Sequence, residues 1–212
     1  MSTLYIPKQF AEHDRAKLFD LMQAHNFATL ITAVDNTPHI THLPFIVEPG
    51  QGPNGTLFGH FARGNPHWKS LRPGNPATVI FQGPHSYISP RWYRDRSNVP
   101  TWNYVTVHVT GPIELMQDKP EVLDIVSRLT GYHEQGAQNP WPVTDAEKNL
   151  DKLLSAIVGF RLPIHAMEGK FKLSQNRSVA DQMAVIDELA QSSDPSIKGV
   201  AHLMRCNLNP KN

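Results

Sequence analysis

The chain has 212 residues, with 20 Lys and Arg residues against 19 Asp and Glu residues and a formal net charge of +1. This balance excludes a global electrostatic attraction to nucleic acid or membranes, so an anionic ligand needs a local basic patch. The single cysteine, Cys206, excludes an intrachain disulfide. With neither a charged leader before an apolar run nor a stretch of about 20 apolar residues, the sequence predicts a soluble, cytoplasmic protein that does not span a membrane.

Hydrophobic periodicity predicts both strands and helices along the chain. In chain order, the predicted elements are a helix over 14–26, strands over 27–34, 39–47, 56–61, 77–82 and 102–116, helices over 120–131 and 145–154, a strand over 156–166, and helices over 178–190 and 194–205. The first two strands form a hairpin around Asp35-Asn36-Thr37-Pro38, a typical turn sequence. Six strands with peripheral helices favour a small antiparallel barrel.

The crossing between the strands 56–61 and 77–82 is rich in polar and cationic side chains. Its donors, cations and one large aromatic face come from His60, Arg63, Asn65, His67, Trp68, Lys69 and Arg72. Such a connection suits a flat, phosphorylated ligand. The alternative is a polar surface loop whose Pro and Gly residues break regular structure.

A long loop over 83–101 carries three guanidinium groups beside two aromatic rings. The arginines are Arg91, Arg94 and Arg96. Because arginine pairs with phosphate and aromatic rings stack on bases, this loop suits contact with nucleic acid. The alternative is a solvated loop or a subunit contact.

The segment 168–178 places Lys170 and Lys172 on one face of an extended chain, with Phe171 and Leu173 on the other. The carboxamide of Gln175 lies beside the lysines. This arrangement suits a phosphate group or a neighbouring subunit. The alternative is an exposed edge strand whose lysines prevent aggregation.

Eleven histidines raise the hypothesis of a metal site. His39 and His42 are the nearest pair on one predicted strand, but their odd spacing sends them to opposite faces. Because no cysteine or carboxylate cluster completes a ligand set around His60 and His67, no metal site is predicted. No catalytic residue is predicted either, since nucleophile motifs are lacking and Gly50-Gln51-Gly52-Pro53 does not open a helix.

A series of short ungapped motifs in one order is the most specific signal. The motifs are Tyr5-Ile6-Pro7, Gly59-His60 with Asn65-Pro66 and Trp68, Phe81-Gln82-Gly83-Pro84-His85, Tyr87-Ile88-Ser89-Pro90, Pro100-Thr101-Trp102-Asn103-Tyr104 and Gly169-Lys170-Phe171-Lys172-Leu173-Ser174-Gln175-Asn176-Arg177. This series resembles the PaiB-type proteins, a family of FMN-binding negative transcriptional regulators of protease synthesis and sporulation. The resemblance extends from the N-terminus to about residue 190.

The resemblance implies a mainly β (α+β) fold, a six-stranded antiparallel FMN-binding split β-barrel with peripheral helices, and a homodimer with flavin at the subunit interface. We expect a split-barrel domain over 1–175 and a C-terminal helical extension over 176–212 packed on it. The implied flavin-binding residues are His60, Arg63, Asn65, Trp68, Lys69, Gln82, Trp102, Asn103, Lys170, Lys172 and Gln175. Asn65-Pro66-His67 replaces the Ser-Arg-Lys-like phosphate grip of the oxidase relatives.

The expected function is that of an FMN-binding transcriptional repressor rather than an enzyme. The tail helices lack the tight glycine turn of a helix-turn-helix, so DNA contact is expected either from the loop with Arg91, Arg94 and Arg96 or indirectly. Two alternatives stay open. One is an FMN-dependent oxidoreductase of the pyridoxamine-phosphate-oxidase-like class. The other is a haem-binding split-barrel protein that uses one of its histidines.

Overall fold

The computed structural model describes residues 4–72 and 74–208, with ten strands and six α-helices in those ranges. The strands are β1 (Ala11–Glu12), β2 (Phe27–Val34), β3 (Thr37–Pro44), β4 (Ile46–Glu48), β5 (Thr56–Ala62), β6 (Pro76–Ile88), β7 (Thr101–Pro112), β8 (Glu114–Met116), β9 (Ile157–Pro163) and β10 (Ala166–Lys172). The helices are α1 (Arg15–Ala24), α2 (His67–Ser70), α3 (Lys119–His133), α4 (Leu150–Ser155), α5 (Val179–Ala190) and α6 (Pro195–Leu208).

The chain divides into two compact units. The first unit comprises Met1–Leu21, Gln82–Val107 and Glu168–Asn212, and the second comprises Met22–Phe81 and His108–Met167. Strands β6, β7 and β10 contribute residues to both units. The domain predicted over 1–175 and its extension over 176–212 stay a prediction.

The strands form two sheets, one with the order β1-β10-β7-β6-β2-β3 and one with the order β4-β5-β9-β8. Antiparallel pairing joins β1 to β10, β2 to β3 and β6, β4 to β5, and β9 to β5 and β8. The α+β class with antiparallel sheets is therefore confirmed. The predicted count of six strands is wrong, and within the described ranges neither sheet closes on itself, because each strand order ends at two different strands.

Two of the predicted strands are each divided between the two sheets. The predicted strand 39–47 is β3 and β4, separated at Phe45, whose N–H donates to the carbonyl oxygen of Asn26 over 2.9 Å. The predicted strand 102–116 is β7 and β8, separated at Ile113. Phe45 and Ile113 are both buried. In the sequence, a buried apolar residue between two strands cannot be distinguished from the next apolar residue of one continuous strand. The hydrophobic alternation therefore does not reveal the division.

β6 extends to Ile88, beyond the predicted end at residue 82. Burial alternates from Ala77 to Gly83 and again from Ser86 to Ile88, with a shift of one residue at Pro84 and His85. The buried face of β6 therefore changes after Gly83, which agrees with the tendency of glycine and proline in strands to mark irregular positions. β10 lies between β1 and β7 in the strand order, so the edge-strand interpretation of its lysines is wrong.

The predicted helices are present, with one change in type. Ser178 Oγ accepts the N–H of Asp181 over 3.1 Å, which confirms the predicted cap of α5. The predicted helix 145–154 is a 3-10 helix over Val143–Asn149 followed by α4. Throughout residues 4–72 and 74–208, every helix is too short or too polar to span a membrane.

Aromatic rings fill the core of the second unit. The ring of Phe45 lies 5.7 Å from that of Phe81 and 5.9 Å from that of Phe160, measured between centroids. Phe61 packs on Phe160 at 4.9 Å. These rings pack β5 against β9, and the polar crossing begins directly after β5 ends at Ala62.

Candidate functional site

Hydrogen bonds hold residues 63–70 of the crossing after β5, which belong to the second unit. Asn65 Oδ1 accepts the N–H of His67 over 2.9 Å, and Asn65 Nδ2 donates to Thr41 Oγ1 over 3.1 Å. Asn65 therefore satisfies a backbone donor in the first turn of α2 and ties that turn to β3. Its predicted contact with flavin stays a prediction.

His67 is a buried residue whose environment sequence reasoning missed. Its Nε2 lies 2.8 Å from Thr32 Oγ1 and its Nδ1 lies 2.8 Å from Thr41 Oγ1. The ring packs against Phe61 at 5.4 Å and against His39 at 5.6 Å. Burial lowers the pKa of His67, and the nearby His39 lowers it further. The ring is therefore held in its neutral form at neutral pH.

Arg63 and Lys69, two of the three cations of the crossing, have different surroundings. Arg63 Nε donates to the carbonyl oxygen of Ser155 over 2.6 Å and Arg63 Nη2 to that of Ile157 over 2.8 Å, which ties the crossing to the start of β9. Trp68 Nε1 donates to the carbonyl oxygen of Arg63 over 3.0 Å. Lys69 is exposed, with its ammonium nitrogen 5.6 Å from the centroid of Trp68. Of these two cations, Lys69 has the more accessible charge.

His60 presents an unsatisfied polar atom in the same unit. It lies on β5 opposite Gly159, and its Nδ1 is buried without a hydrogen-bond partner in the described part of the chain. Burial lowers the pKa of His60. A buried nitrogen without a partner costs free energy. The ring therefore fits a site that a ligand completes.

We expect the protein to lose stability as the pH falls below about 6.5. His67 and His60 have lowered pKa values when folded, so the unfolded chain binds protons more readily. Their contribution to stability is present above the unfolded pKa of about 6.5 and is lost as the pH falls through the folded values, at no more than about 1.4 kcal/mol per pH unit for each histidine. Urea denaturation at a series of pH values measures this slope.

The variant His67→Gln tests the contribution of the buried histidine to this pH dependence, and His42→Gln is its control. His42 is exposed, and its Nδ1 lies 3.0 Å from Thr29 Oγ1. His67→Gln should lower the free energy of unfolding at pH 8 and flatten its decline between pH 6.5 and 5. His42→Gln should leave both unchanged, and equal slopes for the two variants would contradict the assignment.

In the first unit, Lys170 and Lys172 of β10 form what we call the lysine face. Lys170 is 7% exposed, and its Nζ donates to the carbonyl oxygen of Tyr5 over 2.9 Å. The same ammonium group lies 5.3 Å from the ring centroids of Tyr5 and Tyr104. Lys172 Nζ donates to Thr101 Oγ1 over 2.6 Å and to the carbonyl oxygen of Trp102.

The lysine face carries positive charge that no carboxylate of the described residues pairs with. Burial lowers the pKa of Lys172, and the positive charges of Lys170 and Arg177 lower it further. Neither lysine forms an ion pair with a carboxylate of residues 4–72 or 74–208. An ammonium group removed from water without an anionic partner is unfavourable. The lysine face therefore fits a bound anion, and a phosphate group has the required charge.

The other predicted residues of this unit differ in accessibility. Gln82 is exposed on β6, and Trp102 is 54% exposed at the start of β7. Gln175 Oε1 accepts the N–H of Leu173 over 2.7 Å, and its Nε2 donates to the carbonyl oxygen of Phe171. Gln175 therefore closes the turn that follows β10. Contacts of these side chains with flavin stay predictions.

Asn103 is completely buried and joins three segments of the first unit. Its Nδ2 donates to Ser174 Oγ over 2.9 Å and approaches Met204 Sδ at 3.4 Å, and its Oδ1 lies 3.2 Å from Ser174 Oγ.

We expect Asn103→Ala to lower the free energy of unfolding by about 2 kcal/mol, since the Ser174 hydroxyl loses its partner. Exposed Asn176→Ala should change it by less than about 0.5 kcal/mol. Equal urea midpoints for the two variants would contradict this role.

The arginine-rich loop is held on α5 by its backbone. Asp181 Oδ1 accepts the N–H groups of Arg94 and Asp95 over 2.7 and 3.2 Å, and Tyr93 is 3% exposed. The three arginines predicted to contact nucleic acid, Arg91, Arg94 and Arg96, are exposed. The loop therefore presents them to solvent from a fixed base.

The histidines of β3 lie on opposite faces, as their spacing predicts. The ring of His39 faces His67, whereas that of His42 is exposed beside Thr29. Within the described ranges, no group of three or more His, Cys, Asp or Glu side chains is arranged to hold a metal ion.

Comparison with solved structures relates the chain to flavin-containing proteins. It matches the FAD and haem binding protein from Mycobacterium smegmatis with a TM-score of 0.59 and 20% identity, over 82% of this chain and 78% of that one. It matches the flavocytochrome Anf3 from Azotobacter vinelandii with a TM-score of 0.60 and 14% identity, over 81% and 74% of the two chains. At such low identities the likeness shows the fold alone.

Comparison of sequences is more specific than comparison of folds. Residues 4–166 match the model of a family described as "Putative FMN-binding domain". The chain is 36% identical over 203 residues to the Bacillus subtilis "Protease synthase and sporulation protein PAI 2", covering 95% of this chain and 96% of that protein. An uncharacterised protein of Aspergillus fumigatus is 27% identical over 95% of this chain and 97% of its own. Together with the motif series, these matches show that the chain belongs to the PaiB-type family of FMN-binding proteins.

Proposed function

We propose that the protein binds FMN with its phosphate on the lysine face, and that it acts as a transcriptional repressor in the form of a split-barrel homodimer. The observation that carries the flavin part is the positive charge of Lys170 and Lys172, which have no carboxylate partner in the described part of the chain. The phosphate of FMN has a charge close to −2 and three acceptor oxygens. It would compensate this charge.

The second unit, considered by itself, also has groups that suit a flavin. The unsatisfied Nδ1 of His60 can donate to a ring carbonyl oxygen or accept from a ring N–H, depending on its tautomer. The ring of Trp68 offers an aromatic face, and the exposed ammonium group of Lys69 lies beside it. When bound, FMN supplies redox chemistry that side chains lack. The residues of the chain bind and orient it.

The flavin part is tested by comparing FMN with riboflavin, which has the same ring but no phosphate. The native protein should bind FMN at least about tenfold more tightly, since each charged hydrogen bond to phosphate contributes about 1.5–3 kcal/mol. Lys172→Gln should remove most of this difference, whereas Lys152→Gln, at an exposed site on α4, should not. Equal affinities for FMN and riboflavin in the native protein would contradict the proposal.

The regulatory part rests on the exposed arginines of the anchored loop. If Arg91, Arg94 and Arg96 each contact a DNA phosphate, replacing all three by glutamine should reduce the slope of log affinity against log salt by about 3. Reversal of charge at exposed Lys8 provides a control for general electrostatic attraction. An unchanged slope in the triple variant would exclude this loop from the DNA contact.

Three further measurements distinguish the remaining possibilities. Light scattering after gel filtration should give the mass of a dimer, about twice 23.8 kDa. Consumption of reduced nicotinamide by FMN-loaded protein would favour the oxidoreductase alternative over the repressor. A Soret band in the purified protein would favour haem binding.

A further inference from the structure

A groove lies wholly within the first unit, between the end of β6, the start of β7 and the connection from α5 to α6. Its volume is about 630 Å³, which is within the usual range for small-molecule sites. Aromatic side chains form one side, and residues of α5, of the α5–α6 connection and of the start of α6 form the other. The proposed function does not use this combination of groups.

The aromatic side of the groove is a corner of two rings. The centroids of Trp102 and Tyr87 lie 6.1 Å apart, and the rings are inclined at 72°. His85 adds a third ring, 6.3 Å from Trp102 and tilted at 33°. Trp102 is 54% exposed and Tyr87 is 45% exposed. Large aromatic rings this accessible can stack on a flat ligand through one ring and contact its edge through the other.

The charge of the groove is negative. Glu188 and Asp194 line it, and no lysine or arginine is among its lining residues. Asp194 Oδ1 accepts the N–H of Ser196 over 2.7 Å, which holds this carboxylate at the start of α6 and leaves further lone pairs for a ligand. Glu188 forms no ion pair with a residue of the described ranges. The groove therefore favours a cation and disfavours a phosphate.

The two sides are held together by close contacts. Ser196 Oγ accepts the N–H of His85 over 3.2 Å, which joins α6 to β6. A Cβ atom added at Gly199 would lie 2.8 Å from Cγ of Pro84, so α6 packs directly on the strand. Because both sides are fixed in this way, the groove is formed before any ligand arrives.

We infer that this groove binds a planar aromatic cation, stacked on Trp102 and Tyr87 with its positive charge towards Glu188 and Asp194. Aromatic faces attract cations through their quadrupole, and the two carboxylates add a direct charge interaction. The inference does not depend on the flavin phosphate contact proposed above, which uses the lysine face and neither of the two carboxylates. Trp102 is shared with the predicted flavin contacts, and competition with FMN tests whether the two ligands use the same site.

N-methylquinolinium and quinoline at pH 8 test the inference, because the two probes share a ring system and only the first is charged. Isothermal titration of the full-length protein should show N-methylquinolinium binding at least fivefold more tightly. Glu188→Gln should remove most of this preference, whereas Asp187→Asn, at the neighbouring exposed position outside the groove, should retain it. Equal binding of the two probes would overturn the inference.

The aromatic side needs its own pair of variants. Trp102→Leu should weaken binding of N-methylquinolinium roughly fivefold or more, since the side chain stays apolar but loses its quadrupole. Trp141→Leu replaces a tryptophan that is 47% exposed in the second unit and should have no effect. Saturation with FMN should not displace the cation. Displacement by FMN would show that the groove belongs to the flavin site and would also overturn the inference.

Discussion

Replacement of Gly111 by alanine should lower the free energy of unfolding by more than about 3 kcal/mol. A Cβ atom at this position of β7 would lie 2.1 Å from the carbonyl oxygen of Pro163 and 2.8 Å from a methyl carbon of Leu162. The first contact is with backbone, which cannot rotate away as a flexible side chain can. Overpacking of this kind costs about 1–3 kcal/mol or more, and here the end of β9 must move. Urea denaturation monitored by circular dichroism measures the loss.

Gly131→Ala is the matched control for this substitution. Gly131 lies inside α3, and a Cβ atom added there would have no atom of another described segment within 4 Å. Alanine should stabilise the helix by about 0.5–1 kcal/mol, because glycine is a poor helix former. The same chemical change therefore has opposite expected signs at the two positions. Gly111→Ala at native stability would show that β7 and β9 do not approach each other as closely as the structure indicates.

Replacement of Lys170 by methionine should have opposite effects on FMN affinity and on stability. Methionine keeps much of the length of the side chain and its contacts with Tyr5 and Tyr104, but it removes a buried charge that has no carboxylate partner. Affinity for FMN should fall by about tenfold or more, since a charged hydrogen bond to phosphate is lost. Without FMN, the variant should be at least as stable as the native protein, because replacing a buried charge by an apolar group is often neutral or stabilising.

Two measurements separate this prediction from a purely structural role of Lys170. Urea denaturation without and with saturating FMN gives the stability of both forms, and flavin fluorescence gives the affinity. The native protein should gain more stability from FMN than Lys170→Met does, since ligand stabilisation follows affinity. A variant that is less stable without FMN but binds it normally would show that Lys170 supports the fold instead of the ligand.

The sequence by itself determined most of the secondary structure and the family. The long periodic segments are where it predicted them, including the hairpin of β2 and β3, α3, α5 and α6. The Ser178 cap was also correctly predicted, because a cap depends on residues three positions apart. The motif series identified the family, since several motifs in order are specific even without coordinates. These features are local or follow the order of the chain.

Only the tertiary structure decided which sheet each strand joins and which polar side chains meet. The division of 39–47 at Phe45 depends on a hydrogen bond to Asn26, and the surroundings of His67 depend on the register of β2 and β3. The alternation along 168–173 predicts that Lys170 and Lys172 share a face. The surroundings of these lysines come from residues distant in sequence, such as Tyr5 and Thr101, so the sequence does not reveal that their charge lacks a carboxylate partner. Side-chain burial and long-range pairing arise from packing, and a one-dimensional pattern does not contain them.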